Sequence, residues 1–207
     1  MSRPVGCSQF FYRRMFMQKE NRRVKMTKTL LNESFLKFLE KKPLSRITVK
    51  EICENADVNR STYYVYYSDP YDQLHKIEDA LIREQAVYID AILQNGGHDD
   101  PSFTNVINNL LHYYRERKDM LQVLLGKHGD IHLEYDILAF FAERILSNGS
   151  NSCKLPQKQL QDYTYAASGS FGLIIYWIMT DCQEDPNELA IRITELTRGV
   201  RIANDSQ

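Results

Sequence analysis

Apolar residues recur every three to four positions along most of this chain, and no stretch alternates with the period of two that marks a half-buried strand. The pattern predicts helices throughout. Leu31, Phe35, Phe38 and Leu39 stripe a helix over 26–41, which Lys41, Lys42 and Pro43 bring to an end. Val49, Ile52, Cys53 and Ala56 stripe a short helix over 49–56. Its start is marked by Thr48 and Glu51, the spacing of a capping box in which hydroxyl and carboxylate satisfy each other's backbone N–H. Asp57, Val58 and Asn59 make a turn with Val58 as an apolar plug. Asn59 then caps a second short helix opened by Arg60, Ser61 and Thr62. In that helix Tyr63 and Tyr67 lie one turn apart and face inward, Tyr64 and Val65 face outward, and Tyr66 sits at the edge. A bi-helical unit of this size cannot bury its own apolar face, so the first helix, with Leu44 and Ile47, must roof it.

Downstream, Asp69, Pro70, Tyr71 and Asp72 start a long helix that runs to about Gln94, where Asn95, Gly96 and Gly97 stop it. Leu74, Ile77, Leu81, Val87 or Tyr88, and Ile92 form its stripe, and its length predicts that it spans from a small head to a larger body. Body helices are expected over 102–117, 119–125, 131–146, 157–180 and 186–202. The breaks between them fall at Lys118, 126–130, 147–156 and 181–185. The last two long helices read as an interface. Phe171, Ile174, Ile175, Ile178 and Met179 give one a wide apolar face, with Gly169, Ser170 and Gly172 allowing close approach. Leu189, Ile193, Leu196 and Val200 stripe the other. Two such helices from each of two subunits would make a four-helix seam, although a plain core explains much of the same pattern.

Charge changes this picture. The 207 residues carry a net charge of −1, which alone argues against a nucleic-acid binder. The distribution reverses that argument. Residues 1–67 hold 14 Lys and Arg against 6 Asp and Glu, a net of +8, and the remaining 12 basic and 21 acidic residues give −9. A basic head on an acidic body is expected when one part meets a polyphosphate and the other must not. A helix N-terminus in that head offers unpaired N–H groups to a phosphate or base edge.

The stretch VKEICENADVNRSTYYVYYSDPYDQL resembles the helix-turn-helix signature of the tetracycline-repressor-type (TetR/AcrR) family of bacterial regulators, a likeness that spans residues 28–81. The resemblance implies an all-α fold: an N-terminal three-helix DNA-binding domain and a C-terminal helical domain that dimerises and often binds an effector. The implied divisions are an extension over 1–21, the DNA-binding domain over 22–68 and the regulatory domain over 69–207. Position by position, it implies major-groove insertion of residues 59–67, from the Asn59 cap onward. Lys50, Arg60 and Ser61 would meet base edges. Thr48, Thr62, Tyr64 and Tyr66 would meet phosphates, and Val65 a thymine methyl. Phe171, Ile174, Ile175, Ile178, Leu189, Ile193 and Leu196 would form the dimer seam. Two departures stand out: Asp57 occupies the turn position usually held by Gly, and the phosphate-contacting Lys usual at the start of the fourth helix is absent from Asp69-Pro70-Tyr71.

The partners so implied are a palindromic duplex operator, a second copy of the chain and a small-molecule effector, with repression favoured over activation. The rival is an all-α interaction dimer that has lost direct DNA binding; four tyrosines in the five positions 63–67 lean that way, and the basic head leans against it more strongly. Tyr113, Tyr114, Phe140, Phe141, Tyr163, Tyr165 and Trp177 could line an effector pocket, or be plain core. No cofactor is expected, and no enzyme motif appears. His128 and His132 have helical metal spacing but Gly129 interrupts them and no third ligand is evident, while His75, His98 and His112 stand isolated. Cys7, Cys53, Cys153 and Cys182 form no close pair, pointing to free thiols in the cytoplasm. The longest apolar run, residues 171–179, is too short to cross a bilayer. Residues 1–21 read as a frayed terminus or an upstream translation start in preference to a DNA-tracking basic arm.

Overall fold

The computed structural model describes residues 22–94, 101–130, 132–148 and 157–198. The expected extension over 1–21, the linkers over 95–100 and 149–156, the side chains of Ile92 and Phe141, and the chain beyond residue 198 lie outside them. Among the described residues the secondary structure is helical, with no strand. The helices are α1 (Arg22–Leu39), α2 (Val49–Ala56), α3 (Arg60–Tyr66), α4 (Pro70–Gln94), α5 (Pro101–Glu116), α6 (Lys118–Leu124), α7 (Leu133–Asn148), α8 (Gln157–Met179) and α9 (Pro186–Thr197). A short 3-10 turn, Leu44–Arg46, joins α1 to α2.

The head is α1 to α3. Leu31, Phe35 and Leu39 of α1 close over Ile47, Ile52, Cys53, Ala56, Tyr63 and Tyr67, all buried, with Phe38, Leu44 and Val58 packed against them. The small Cys53 and Ala56 are buried on α2, which packs on α3. The turn between these helices needs a left-handed residue, and Asp57 takes it at φ 51°, ψ 44°, with its N–H donating to the Cys53 carbonyl. Asp, whose short polar side chain tolerates this region better than most residues, replaces the usual Gly without breaking the turn. Polar bonds pin the layers. Ser34 Oγ donates to the Ile52 carbonyl at 2.9 Å, joining α1 to α2.

α4 serves both parts of the molecule. Leu74, Ile77 and Leu81 are buried on its core face. The alternative left open by the sequence resolves in favour of Tyr88, which packs on the core, while Val87 stands in solvent. Further along, Gln85 accepts from the Tyr114 hydroxyl at 2.7 Å and Glu84 from Tyr113 at 2.8 Å, binding α4 to α5. α5 also packs on α9, with Thr104 and Thr194 sharing a hydrogen bond at 3.0 Å. α6 packs on both α1 and α8, so the head rests on the body at a second place. The Trp177 indole N–H of α8 donates to the Glu184 carbonyl at 2.9 Å, closing the turn into α9. No described helix is long and apolar enough to cross a membrane.

Replacing Asp57 by Val puts a β-branched side chain at a left-handed position, which costs about 1–2 kcal/mol. Urea denaturation followed by circular dichroism should show that loss in the midpoint.

Candidate nucleic-acid interface

The surface is built from the first turn of α2 and the whole of α3. Thr48 Oγ1 accepts from the Glu51 N–H at 3.3 Å, and Glu51 Oε2 accepts from the Thr48 N–H at 3.1 Å and its hydroxyl at 2.8 Å. Lys42 adds an ion pair to the same carboxylate at 2.7 Å. The Lys42 ammonium and then the two Thr48 donors hold the Glu51 carboxyl well below its usual range, at about 2. The box sets the direction of α2 and leaves Lys50 exposed, 3.9 Å from Glu54.

At α3, Asn59 Oδ1 accepts from both the N–H and the hydroxyl of Ser61, each at 2.9 Å. Arg60 is exposed and has no carboxylate partner among the described residues. Tyr64 and Val65 are 58% and 74% exposed, Thr62 and Tyr66 half-buried, and Tyr63 fully buried. Thr48, Lys50, Asn59, Arg60, Ser61, Thr62, Tyr64, Val65 and Tyr66 therefore all reach solvent, on two helices packed together. The geometry refines their chemistry. The Thr48 hydroxyl proton is spent on Glu51, so it has no donor left for a phosphate, which only accepts. Thr48 positions α2 instead.

The residues that hold α3 in place were largely missed by sequence reasoning. Lys76 of α4 donates to the Tyr66 carbonyl at 2.8 Å, setting a cation against the C-terminal end of α3. It also pairs with Asp72 at 2.8 Å and lies 5.6 Å from the Tyr67 ring centre. Lys28 of α1 sits 5.5 Å from the Tyr66 ring centre. The lysine absent near Pro70 thus has a neighbour one and a half turns on, used as a tether for α3. Only the i,i+4 spacing of Asp72 and Lys76 could have signalled it. A third hold is buried: Gln73 of α4 donates to the Leu31 carbonyl and to Asn32 Oδ1, both at 3.0 Å, and the Tyr67 hydroxyl donates to the same Asn32 oxygen at 3.0 Å.

Behind this surface lies an open cleft of about 640 Å³. It is bordered by α1, α3, α4 and α6, and Lys28, Tyr66, Lys76 and Arg117 reach it. The aromatic set expected to line a pocket does not gather there. Tyr113 and Tyr114 are buried and hydrogen-bonded to α4, Trp177 is core, and Tyr165 is exposed.

Within one chain the expected seam residues divide between core and surface. Phe171, Ile174, Ile178, Leu189 and Ile193 are buried within the single chain, and Ile175 packs against the same core. Leu196 alone of the seven is openly exposed. The open face of α8 carries Tyr165, Gly169, Gly172, Tyr176 and Met179, at spacings of four, three, four and three. A Cβ at Gly169 or Gly172 would meet nothing within 4 Å.

Comparison with known proteins agrees with this architecture. A family profile described as a TetR-type "Transcriptional regulator C-terminal region" matches residues 102–199. An "Uncharacterized HTH-type transcriptional regulator YxbF" of Bacillus subtilis (strain 168) is 24% identical over 170 residues, covering 80% of this chain and 43% of its own length. The chain thus spans less than half of that relative. The fold is shared with the fatty acid degradation regulator FadR from Bacillus halodurans (TM-score 0.59, 15% identity, 88% of this chain and 97% of that one). It is shared also with a TetR transcriptional regulator from Streptococcus agalactiae 2603V (TM-score 0.55, 18% identity, 85% and 96%).

Residues 102–199 are thus similar to the C-terminal region of TetR-type transcriptional regulators, and the fold is one that TetR-type regulators share. The chain keeps a helix-turn-helix with Asp57 in the turn, and it braces α3 from α4 through Lys76.

The Glu51 shift has a pH signature. Its folded pKa, about 2, lies below the ordinary 4.5, so the box stabilises the head above pH 4.5 and that contribution is lost as pH falls toward 2. Carboxyl-detected NMR titration should place the Glu51 midpoint near 2 in the native chain. Lys42→Met should move it upward toward 4.5.

Proposed function

We propose that this chain is a dimeric, sequence-specific DNA-binding regulator of transcription that acts as a repressor by occupying a palindromic operator. The observation that carries the reading is a basic head whose α3 presents Arg60, Ser61, Tyr64 and Val65 to solvent while Tyr63 and Tyr67 anchor it from behind. An exposed Val65 flanked by Tyr64 and Arg60 has no role in the head's own packing, and in a major groove it suits a thymine methyl. Ser61 donates its proton to Asn59, so toward a base edge it offers a lone pair, matched to an amino group of adenine or cytosine. Arg60 is the candidate for a bidentate contact to guanine, and Lys50 supports it from α2. Tyr64, Thr62 and Tyr66 would orient the head on phosphates.

Dimerisation supplies the second head. The open α8 stripe of Tyr165, Gly169, Gly172, Tyr176 and Met179, with Leu196 of α9, is the face that supports it. Two copies related by a two-fold axis would set their heads about one DNA turn apart. Control by a small molecule belongs to the same reading. The cleft behind α3 has the size for one, and it touches Val65, Tyr66 and Lys76.

Anisotropy titration of the full chain against its own upstream DNA and a scrambled duplex, at two salt concentrations, tests the proposal. Selective binding whose affinity falls steeply with salt is expected, because phosphate contacts release counterions. Failure to bind any duplex at low salt would overturn it. Arg60→Ala should cost about 1–3 kcal/mol on the preferred site and flatten discrimination at one base pair. Tyr64→Phe should weaken binding to every sequence alike.

Sedimentation velocity should show Tyr176→Glu shifting dimer to monomer with the melting temperature of the monomer fold little changed. Phe171→Ala should instead destabilise the fold by about 3–5 kcal/mol, as a core truncation does.

A further inference from the structure

His75, isolated in the sequence, is brought by the fold to two carboxylates. It shares a face of α4 with Glu78, at i and i+3, and its Nδ1 stands 3.6 Å from Glu78 Oε2. Asp130 arrives from the turn between α6 and α7. That turn folds back tightly at Gly129, where a Cβ would overlap the Leu124 carbonyl, so only glycine lets Asp130 approach α4. Asp130 accepts the His132 N–H at 2.8 Å, which orients its carboxylate. One donor atom from each of His75, Glu78 and Asp130 lies within 4.8 Å of the others.

We propose that His75, Glu78 and Asp130 form a binding site for a divalent first-row metal cation that clamps α4 to the start of α7. The independent observation is Glu78 itself. It is 6% exposed, and its Oε1 is buried without a hydrogen-bond partner among the described residues. A buried carboxylate oxygen left unpaired is costly, and both a monodentate and a bidentate Glu meet that need on a cation. Tetrahedral bonds of about 2.1 Å separate ligand atoms by about 3.4 Å, close to the His75–Glu78 distance and reached at Asp130 by a small contraction. One imidazole with two carboxylates suits Zn²⁺ or Mn²⁺, with water completing the shell. The site lies two residues beyond Gln73, the buried tie between α4 and the head, so the cation would brace that helix against the body next to the joint. The inference does not depend on the DNA-binding reading.

Calorimetric titration of the metal-stripped full chain with ZnCl₂, and separately with MnCl₂, tests it. One ion per chain is expected for at least one of the two metals. His75→Ala and the near-isosteric Asp130→Asn should each weaken that binding tenfold or more, while the His128→Ala, His132→Ala double variant leaves it unchanged. Because the His75 side chain is largely exposed, its loss leaves the fold intact, which circular dichroism checks. A metal-induced rise in melting temperature should be present in the native chain and absent from His75→Ala. Binding by neither metal, or binding that survives both ligand substitutions, would overturn the proposal.

Discussion

A seven-residue helix cannot hold itself together in water, and α3 is such a helix. Its shape is imposed from outside. Tyr63 and Tyr67 plug it into the head core, with ring centres 5.5 Å apart. Asn59 ties down its first turn and Lys76 its last carbonyls. Each of these restraints is made on the inner side or at an end, which leaves Arg60, Tyr64 and Val65 exposed on the outer side. The head is therefore a device for presenting a short helix rigidly, and every functional statement about it depends on that hold.

The same logic explains why α4 is long. It meets the head through Asp72, Gln73 and Lys76, and the body through Glu84 and Gln85, with Glu78 between. Polar groups add direction to the apolar packing of Leu74, Ile77 and Leu81 at these joints. Gln73 and Gln85 are almost fully buried, and each spends an amide group on a specific partner. Apolar packing alone would let two helices slide by a fraction of a turn at small cost, whereas a buried amide that loses its partner pays its desolvation in full. Directional bonds along α4, together with the contact of α6 on α1, thus set how the head sits on the body.

Charge separation follows the same division. The head collects the excess of Lys and Arg, and it spends Lys42 internally on Glu51. Lys50 and Arg60 remain at the surface that α3 presents. Net charge over the whole chain conceals this, because the acidic body cancels it.

Local chemistry was legible without a structure. The Thr48–Glu51 box, the Asn59 cap, the left-handed Asp57 and the inward Tyr63 and Tyr67 each depend on residues within a few positions, where helical geometry leaves few options. The all-α class and most helix limits came from the same periodicity. What only the tertiary structure decided were the choices between two apolar faces and between distant partners. The α8 helix is apolar on more than one side, so periodicity could not say that Phe171, Ile174 and Ile178 go to the core and that Tyr165, Tyr176 and Met179 stay out. The bonds from Gln73 to Leu31 and Asn32, from Lys76 to Tyr66, and the meeting of His75 and Glu78 with Asp130 join side chains through the fold, and no spacing along a chain encodes them.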